Sequence, residues 1–205
     1  MNADERADLN LPWCQIHAFI RVHPRLNLFP RETQCYNLAR VLAFGFESPM
    51  PDLLVNLLKL SALAPDLDEL GRSQITIRRP QPFEITPVRS FVEENFSRSW
   101  ADEISVGFAG QPVSVYIATL EREVVGFAAY ECTRRAFFGP MGVAQTMQGR
   151  GLGKTLLLAC LWGLREMGYV YCIIGHAGPI EFYQKTVGAI VIPDSDPGIY
   201  IDLLK

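Results

Sequence analysis

The sequence predicts an α/β protein: one mixed β-sheet with helices on both faces, preceded by a mostly helical N-terminal extension. Three features carry that expectation. From Ile75 onward, strand-like and helix-like segments alternate along the chain. A strand-like run, Phe137 to Val143, leads into the glycine-rich stretch Gln148-Gly149-Arg150-Gly151-Leu152-Gly153-Lys154 and then straight into a helical pattern. Residues 1–74, by contrast, carry apolar stripes at helical spacing.

The chain has 205 residues, 49% hydrophobic and 20% charged, the balance of an ordinary globular protein with one domain or one domain plus an extension. A formal net charge of −3, with the basic residues dispersed, argues against nucleic acid as a partner. The polar, acidic start from Met1 to Asn10 lacks the charged n-region and apolar h-region of a secretory signal, which predicts a cytoplasmic protein. The longest apolar run, Leu156 to Leu164, falls far short of the ~20 residues that cross a bilayer, so no membrane association is expected. Five cysteines (Cys14, Cys35, Cys132, Cys160, Cys172) form no C-x-x-C pair and no zinc-like spacing with histidine. They read as free, mostly buried thiols, and no metal is expected.

In residues 1–74, Cys35, Leu38, Ala39, Leu42 and Phe46 form one helical stripe and Leu53, Leu54, Leu57, Leu58 and Leu60 a second, with Ser48-Pro49-Met50-Pro51 breaking the chain between them. A DNA-binding helical pair is disfavoured by 7 Lys+Arg against 9 Asp+Glu, so this segment reads as packing against the rest of the chain. The boundary is placed near Gly71-Arg72-Ser73, giving a helical extension over 1–74 and an α/β domain over 75–205.

In the second part, Ile75 to Arg79 alternates as a half-buried strand, and Val88, Phe91, Val92 and Phe96 mark a helix within Phe83 to Phe96. A short helix follows over Trp100 to Phe108. Val113 to Leu120 and Val124 to Glu131 are rich in β-branched and aromatic residues, joined by a hairpin at Glu121-Arg122-Glu123. After the glycine stretch, Lys154 to Met167 is apolar almost all round and stops at Gly168, so it reads as a deeply buried helix. A strand over Tyr169 to Ile174, a helix from about Pro179 to Val187, and strands near Ala189 to Ile192 and Ile199 to Leu203 complete the series.

A strand, a glycine turn and a helix N-terminus in succession form an anion site. Glycines let the backbone approach the ligand, successive N–H groups converge, and the helix end adds partial positive charge. Two phosphate loops fail by one residue each. A Walker A loop needs glycine at 148, which is Gln148, and a dinucleotide fingerprint needs a third glycine at 154, which is Lys154. The pattern [QR]-x-x-G-x-[GA] is met by Gln148, Gly151 and Gly153.

With that loop, the strand ending at Val143 just before it, and the later Phe182-Tyr183-Gln184-Lys185 with Gly188, the chain resembles the GCN5-related N-acetyltransferase (GNAT) superfamily from Ile75 to about Leu204. The resemblance implies a GNAT-like fold and acetyl-CoA as cosubstrate. Its pyrophosphate would lie on the loop from Gln148 to Lys154 (Gln148, Gly149, Arg150, Gly151, Leu152, Gly153, Lys154). Its pantetheine arm would lie along Met141, Gly142 and Val143, in a cleft opened by a bulge for which Gly139, Pro140 and Gly142 are suited. A main-chain N–H there would polarise the thioester carbonyl.

By the same resemblance, Tyr183 matches the tyrosine that often serves as general acid toward the leaving thiolate. His176 stands where relatives often have an asparagine that bonds the arm; a cofactor contact, a base titrating near neutrality and a plain strand-end residue are the readings open for it. Glu131, ending a strand beside the cleft, is the carboxylate best placed for a general base, with a solvent-exposed hairpin glutamate as the other reading.

Acceptor specificity would come from Val88 to Phe108 and from Pro193 to Tyr200, where Asp194 and Asp196 either attract a cationic amine or are ordinary turn residues. The function expected is transfer of an acetyl group from acetyl-CoA to a primary amine on a small molecule or peptide. The alternative is a non-catalytic acyl-CoA-binding sensor or regulatory module. A homodimer is compatible with either reading.

Overall fold

The glycine stretch is held by a seven-stranded sheet whose strand order places the residues flanking it at a seam. The computed structural model describes residues 50–201 and 204. Residues Pro49–Lys205 form a compact unit distinct from Met1–Ser48, and the stripe from Cys35 to Phe46 lies outside the described residues. In chain order the elements are β1 (Leu53–Asn56), α1 (Ala64–Arg72), β2 (Thr76–Arg78), α2 (Ile85–Asn95), α3 (Arg98–Val106), β3 (Val115–Leu120), β4 (Glu123–Tyr130), β5 (Phe137–Val143), α4 (Leu152–Glu166), β6 (Tyr171–Ile174), α5 (Ile180–Val187) and β7 (Ile190–Val191).

The sheet runs β2-β3-β4-β5-β6-β1-β7, antiparallel throughout except at the β5–β6 junction, which is parallel. Side-chain alternation along β4 divides the core between the two faces. Phe127 and Ala129 join Val88 and Val92 of α2 and Ala101 and Ile104 of α3. Ala128 and Tyr130 join Leu156, Leu157, Cys160, Leu161 and Leu164 of α4. Ten of the fifteen residues of α4 are buried, as its all-round apolar sequence requires. Each fully buried leucine there contributes about 1.5–3 kcal/mol relative to exposure.

Local chemistry sets the helix starts. Gln81 and Glu84 form a reciprocal capping box ahead of α2, with Pro82 in the first turn. The Ser97 hydroxyl accepts the Trp100 N–H at 3.2 Å, so α3 begins at Arg98 rather than at Trp100.

Three expectations are corrected. Leu53 to Leu60 is not a helix: Leu53–Asn56 is β1, followed by a 3-10 turn over Leu57–Lys59. Leucine at nearly every position satisfies both periods, and the burial decides between them. Leu53, Val55 and Leu57 are fully buried while Leu58 is 60% exposed, which is alternation rather than a helical stripe. Because β1 pairs with both β6 and β7, the compact unit starts before the boundary expected near Ser73. The strand expected over Ile199 to Leu203 is also absent where it can be followed. Residues 199–201 are not extended into the sheet; the Tyr200 N–H turns back to the Pro197 carbonyl at 3.0 Å, and Gly198 takes φ +57°. The sheet position beside β6 is occupied by β1.

Candidate active site

β5 shares its two edges unequally. It pairs with β6 only at Phe137↔Ile173 and Phe138↔Ile174, and from Gly139 onward no residue of β6 faces it in register. On the other edge it pairs with β4 at Ala128↔Met141, Phe127↔Gly142 and Gly126↔Val143, while Tyr130 pairs with Phe138. Gly139 and Pro140 therefore lie opposite the single residue Ala129, a bulge at the place where the sequence suggested one.

Hydrogen-bond direction in the open stretch follows from the ladder. The Ala144 N–H donates to the Val125 carbonyl at 2.9 Å, so Ala144 and Gly142 turn toward β4. The intervening Met141 and Val143 turn their N–H and C=O groups into the gap between β5 and β6. The bulge also shifts the side-chain phase. Phe138 faces α4 and α5, whereas Gly142 faces α2 and α3, where a Cβ would come within 3.0 Å of three carbons of the Phe96 ring.

The gap leads up to the glycine loop. After a 3-10 turn over Gln145–Met147, anchored by buried Met147, Gln148 is extended and Gly149 and Gly151 take φ of +77° and +83°. L side chains rarely adopt that conformation, and it turns consecutive N–H groups to one side. Gly151 is the N-cap of α4 and supplies no side-chain cap. Thr155 N–H donates to the Gly151 carbonyl, which leaves the N–H groups of Leu152, Gly153 and Lys154 without helical partners. Gln148, Gly149, Arg150 and Gly151 are exposed, whereas the Leu152 side chain is buried and only its main chain faces out. An uncapped helix N-terminus preceded by left-handed glycines fits a phosphate group. Among the described residues no cluster of His, Cys, Asp or Glu is arranged to hold a metal, and no helix is long and apolar enough to cross a membrane.

Lys154 is not free. Its ammonium lies 2.7 Å from the carboxylate of Asp66, in the first turn of α1. The lysine is about half exposed, so the pair itself contributes no more than about 1 kcal/mol.

Tyr183, on α5, has a buried ring set edge-to-face against Phe138 (6.3 Å between centroids) and Phe182 (5.1 Å). Its hydroxyl has no hydrogen-bond partner among the described residues, and burial pushes its pKa up to about 12. It therefore holds its proton throughout the neutral range. Cys132, Cys160 and Cys172 are free and buried, with burial raising each thiol, so none is poised as a nucleophile.

The other two candidates are tied to structural partners. Glu131 sits in the β4–β5 turn, at the end of β5 away from the glycine loop. One carboxylate oxygen accepts the Ala136 N–H, the other the Tyr169 hydroxyl at 3.3 Å, and the Glu131 N–H donates to Phe137. Both oxygens are engaged in closing this turn, and the structure does not bring them to the open stretch of β5. His176 follows β6 with φ +48°. Its N–H donates to the Asp52 carboxylate at 2.9 Å, and its exposed ring stacks on Tyr200 at 4.9 Å.

Asp52, Asp66 and Phe96 were not singled out from sequence. Asp52 is only 8% exposed and clamps three segments: besides His176, its N–H donates to the Ser195 hydroxyl at 2.9 Å and its carbonyl accepts the Ile192 N–H. An aspartate after Pro-Met-Pro gives no signal of that role.

Comparison with known proteins finds the same fold. Residues 111–186, from just before β3 through nearly all of α5, match the family model described as an acetyltransferase (GNAT) domain. A GCN5-related glucosamine N-acetyltransferase region of a fungal multi-domain β-N-acetylglucosaminidase superposes with a TM-score of 0.59 at 16% identity, covering 80% of this chain and 22% of that one. A GCN5-related N-acetyltransferase from Sphaerobacter thermophilus gives 0.52 at 17%, covering 88% and 64%. A GNAT family acetyltransferase from Brucella melitensis, solved with acetyl-CoA, gives 0.45 at 21%, covering 54% and 80%. The chain thus spans less than two thirds of the first two proteins. No curated protein matches it in sequence. The chain has the fold of these GCN5-related N-acetyltransferases, and its residues 111–186 match the GNAT acetyltransferase domain model.

Proposed function

We propose that this protein transfers an acetyl group from acetyl-CoA to the primary amine of a small molecule or peptide, by direct attack of the amine on the thioester. The observation that carries the reading is the continuous track of unpaired main-chain groups, from Met141 and Val143 in the seam to the uncapped N–H groups at Leu152, Gly153 and Lys154. An extended amide-bearing arm ending in phosphates is the ligand such a track complements, with strand-like pairing below and anion binding above.

When bound, acetyl-CoA supplies an activated acyl group and a thiolate leaving group. The chain's own residues do the rest. Gly149, Gly151 and the first turn of α4 hold the phosphates through N–H groups, with Gln148 and Arg150 exposed beside them. Met141 and Val143 orient the arm, and an N–H of this stretch stabilises the oxyanion that develops as the amine attacks. Tyr183 carries its proton at Oη and donates to the departing sulfur from the α5 face, while the proton released by the amine nitrogen as the amide forms passes to solvent.

Free thiol released from acetyl-CoA across a panel of small amines, amino sugars, amino acids and peptides tests the reading. Amine-dependent release is expected for at least one class. Calorimetric binding of acetyl-CoA with no release for any class would favour the sensor, and no binding would remove both.

A further inference from the structure

We propose that Phe96 is the residue that restricts the transferred acyl group to short chains, acetyl rather than hexanoyl. This rests on the acetyl-CoA reading above and concerns the far end of the same cleft.

Three walls of the seam are closed. β4 forms one side of β5, and the strands rejoin at Phe138↔Ile174 to close the lower end. On the α4–α5 face, Phe138 and Tyr183 pack edge-to-face and fill the space. An acyl tail leaving a thioester beside Met141 and Gly142 must therefore turn toward the α2–α3 face. There it meets Phe96.

The ring of Phe96 is fitted to that place. It stands directly over Gly142, and any side chain at 142 would collide with it. It is stacked on Trp100 (5.7 Å, 22°) and set edge-to-face on Phe91 (6.1 Å) and Phe127 (5.5 Å). Its backbone ends α2, with its N–H bonded to the Val92 carbonyl at 3.0 Å, so the ring has little room to swing aside. Yet it is only half-buried, and Trp100 behind it is 36% exposed. A ring fixed on three sides and open on the fourth is a stop for a chain arriving from the seam. In packed surroundings each surplus methylene meets resistance, because cores do not accept added volume freely.

The test measures both binding and transfer for acetyl-, butyryl- and hexanoyl-CoA, with the full chain and two variants, Phe96→Ala and Phe96→Leu. Calorimetry gives affinity and thiol release gives kcat/KM. The intact protein is expected to favour acetyl over hexanoyl by about 100-fold or more in kcat/KM, since several methylenes are excluded and each is worth roughly 10-fold or more. Phe96→Ala should close that ratio at least about tenfold and tighten hexanoyl-CoA binding relative to acetyl-CoA, with Phe96→Leu in between. The leucine variant keeps an apolar side chain and carries the test if the alanine variant does not fold. An unchanged ratio in a folded variant, or an intact protein that already accepts hexanoyl-CoA as well as acetyl-CoA, overturns the assignment while leaving the acetyltransferase reading in place. No heat with any acyl-CoA would instead overturn that reading, and this one with it.

Discussion

Replacing Tyr183 with phenylalanine separates packing from proton donation. The ring keeps its edge-to-face contacts with Phe138 and Phe182, and no hydrogen bond among the described residues is lost. Melting temperature at pH 7 should therefore hardly move. The catalytic loss follows from the raised pKa. A phenol at about 12 lies well above an ordinary thiol near 8.5, so Tyr183 stabilises the departing sulfur by a charge-assisted hydrogen bond more than by giving up its proton outright. Such bonds are worth about 1.5–3 kcal/mol, and at about 1.36 kcal/mol per tenfold the expected fall in kcat is roughly 10- to 150-fold. KM for acetyl-CoA should change little, because the interaction strengthens only as charge develops.

The pH dependence of stability has a definite sign. Burial raises the folded-state pKa from 10.0 to about 12, so the stabilisation is fully present below pH 10 and is lost as pH rises from 10 through 12. Two pKa units correspond to about 3 kcal/mol. Alkaline unfolding should accordingly be shallower in Tyr183→Phe. A folded variant with kcat within twofold of the parent at saturating acetyl-CoA, measured by thiol release, would refute the assignment of Tyr183 as donor.

Three further outcomes are expected. Gly151→Ala forces a side chain into φ +83°, costing about 1–2 kcal/mol or relaxing the loop; losing one N–H to a charged phosphate would weaken acetyl-CoA by roughly 10- to 100-fold in calorimetry. Glu131→Ala should cost about 1–3 kcal/mol in chemical denaturation by unpinning the β4–β5 turn, yet leave kcat far above the ~10²–10⁴-fold loss of a missing general base. Leu53→Ala should cost about 2–5 kcal/mol whereas Leu58→Ala stays within about 0.5 kcal/mol, and a chain starting at Ser73 should aggregate because β6 and β7 lose their partner in β1.

Much of the sheet from Ile75 onward was legible because each element there answers to a local rule. Runs rich in β-branched and aromatic residues marked β3 and β4, and an all-round apolar run marked α4, which starts at Leu152, two residues before the expected Lys154. The β5 bulge was expected from the family resemblance, with Gly139 and Pro140 suited to it. What failed depended on distant partners. The leucines of β1 fit helix and strand alike, and only pairing with β6, more than a hundred residues later, selects the strand. The motif around Lys154 gives no sign of Asp66, 88 residues earlier, whose carboxylate holds its ammonium. Nor could the sequence show that Glu131 is held by the Ala136 N–H and the Tyr169 hydroxyl. Phe96 counted as one more apolar residue in a stripe, and its place over Gly142 emerges only when α2 is laid on β5.

Binding of acetyl-CoA in the β5–β6 seam, with its phosphates on the start of α4, is tested most directly by titration followed by backbone amide NMR. The amides of Met141, Val143, Gly149, Gly151, Leu152 and Gly153 are expected to shift together with one dissociation constant, while those of β2 and β3 stay still. Saturable shifts confined to other parts of the chain, or no shift at these residues, would contradict it.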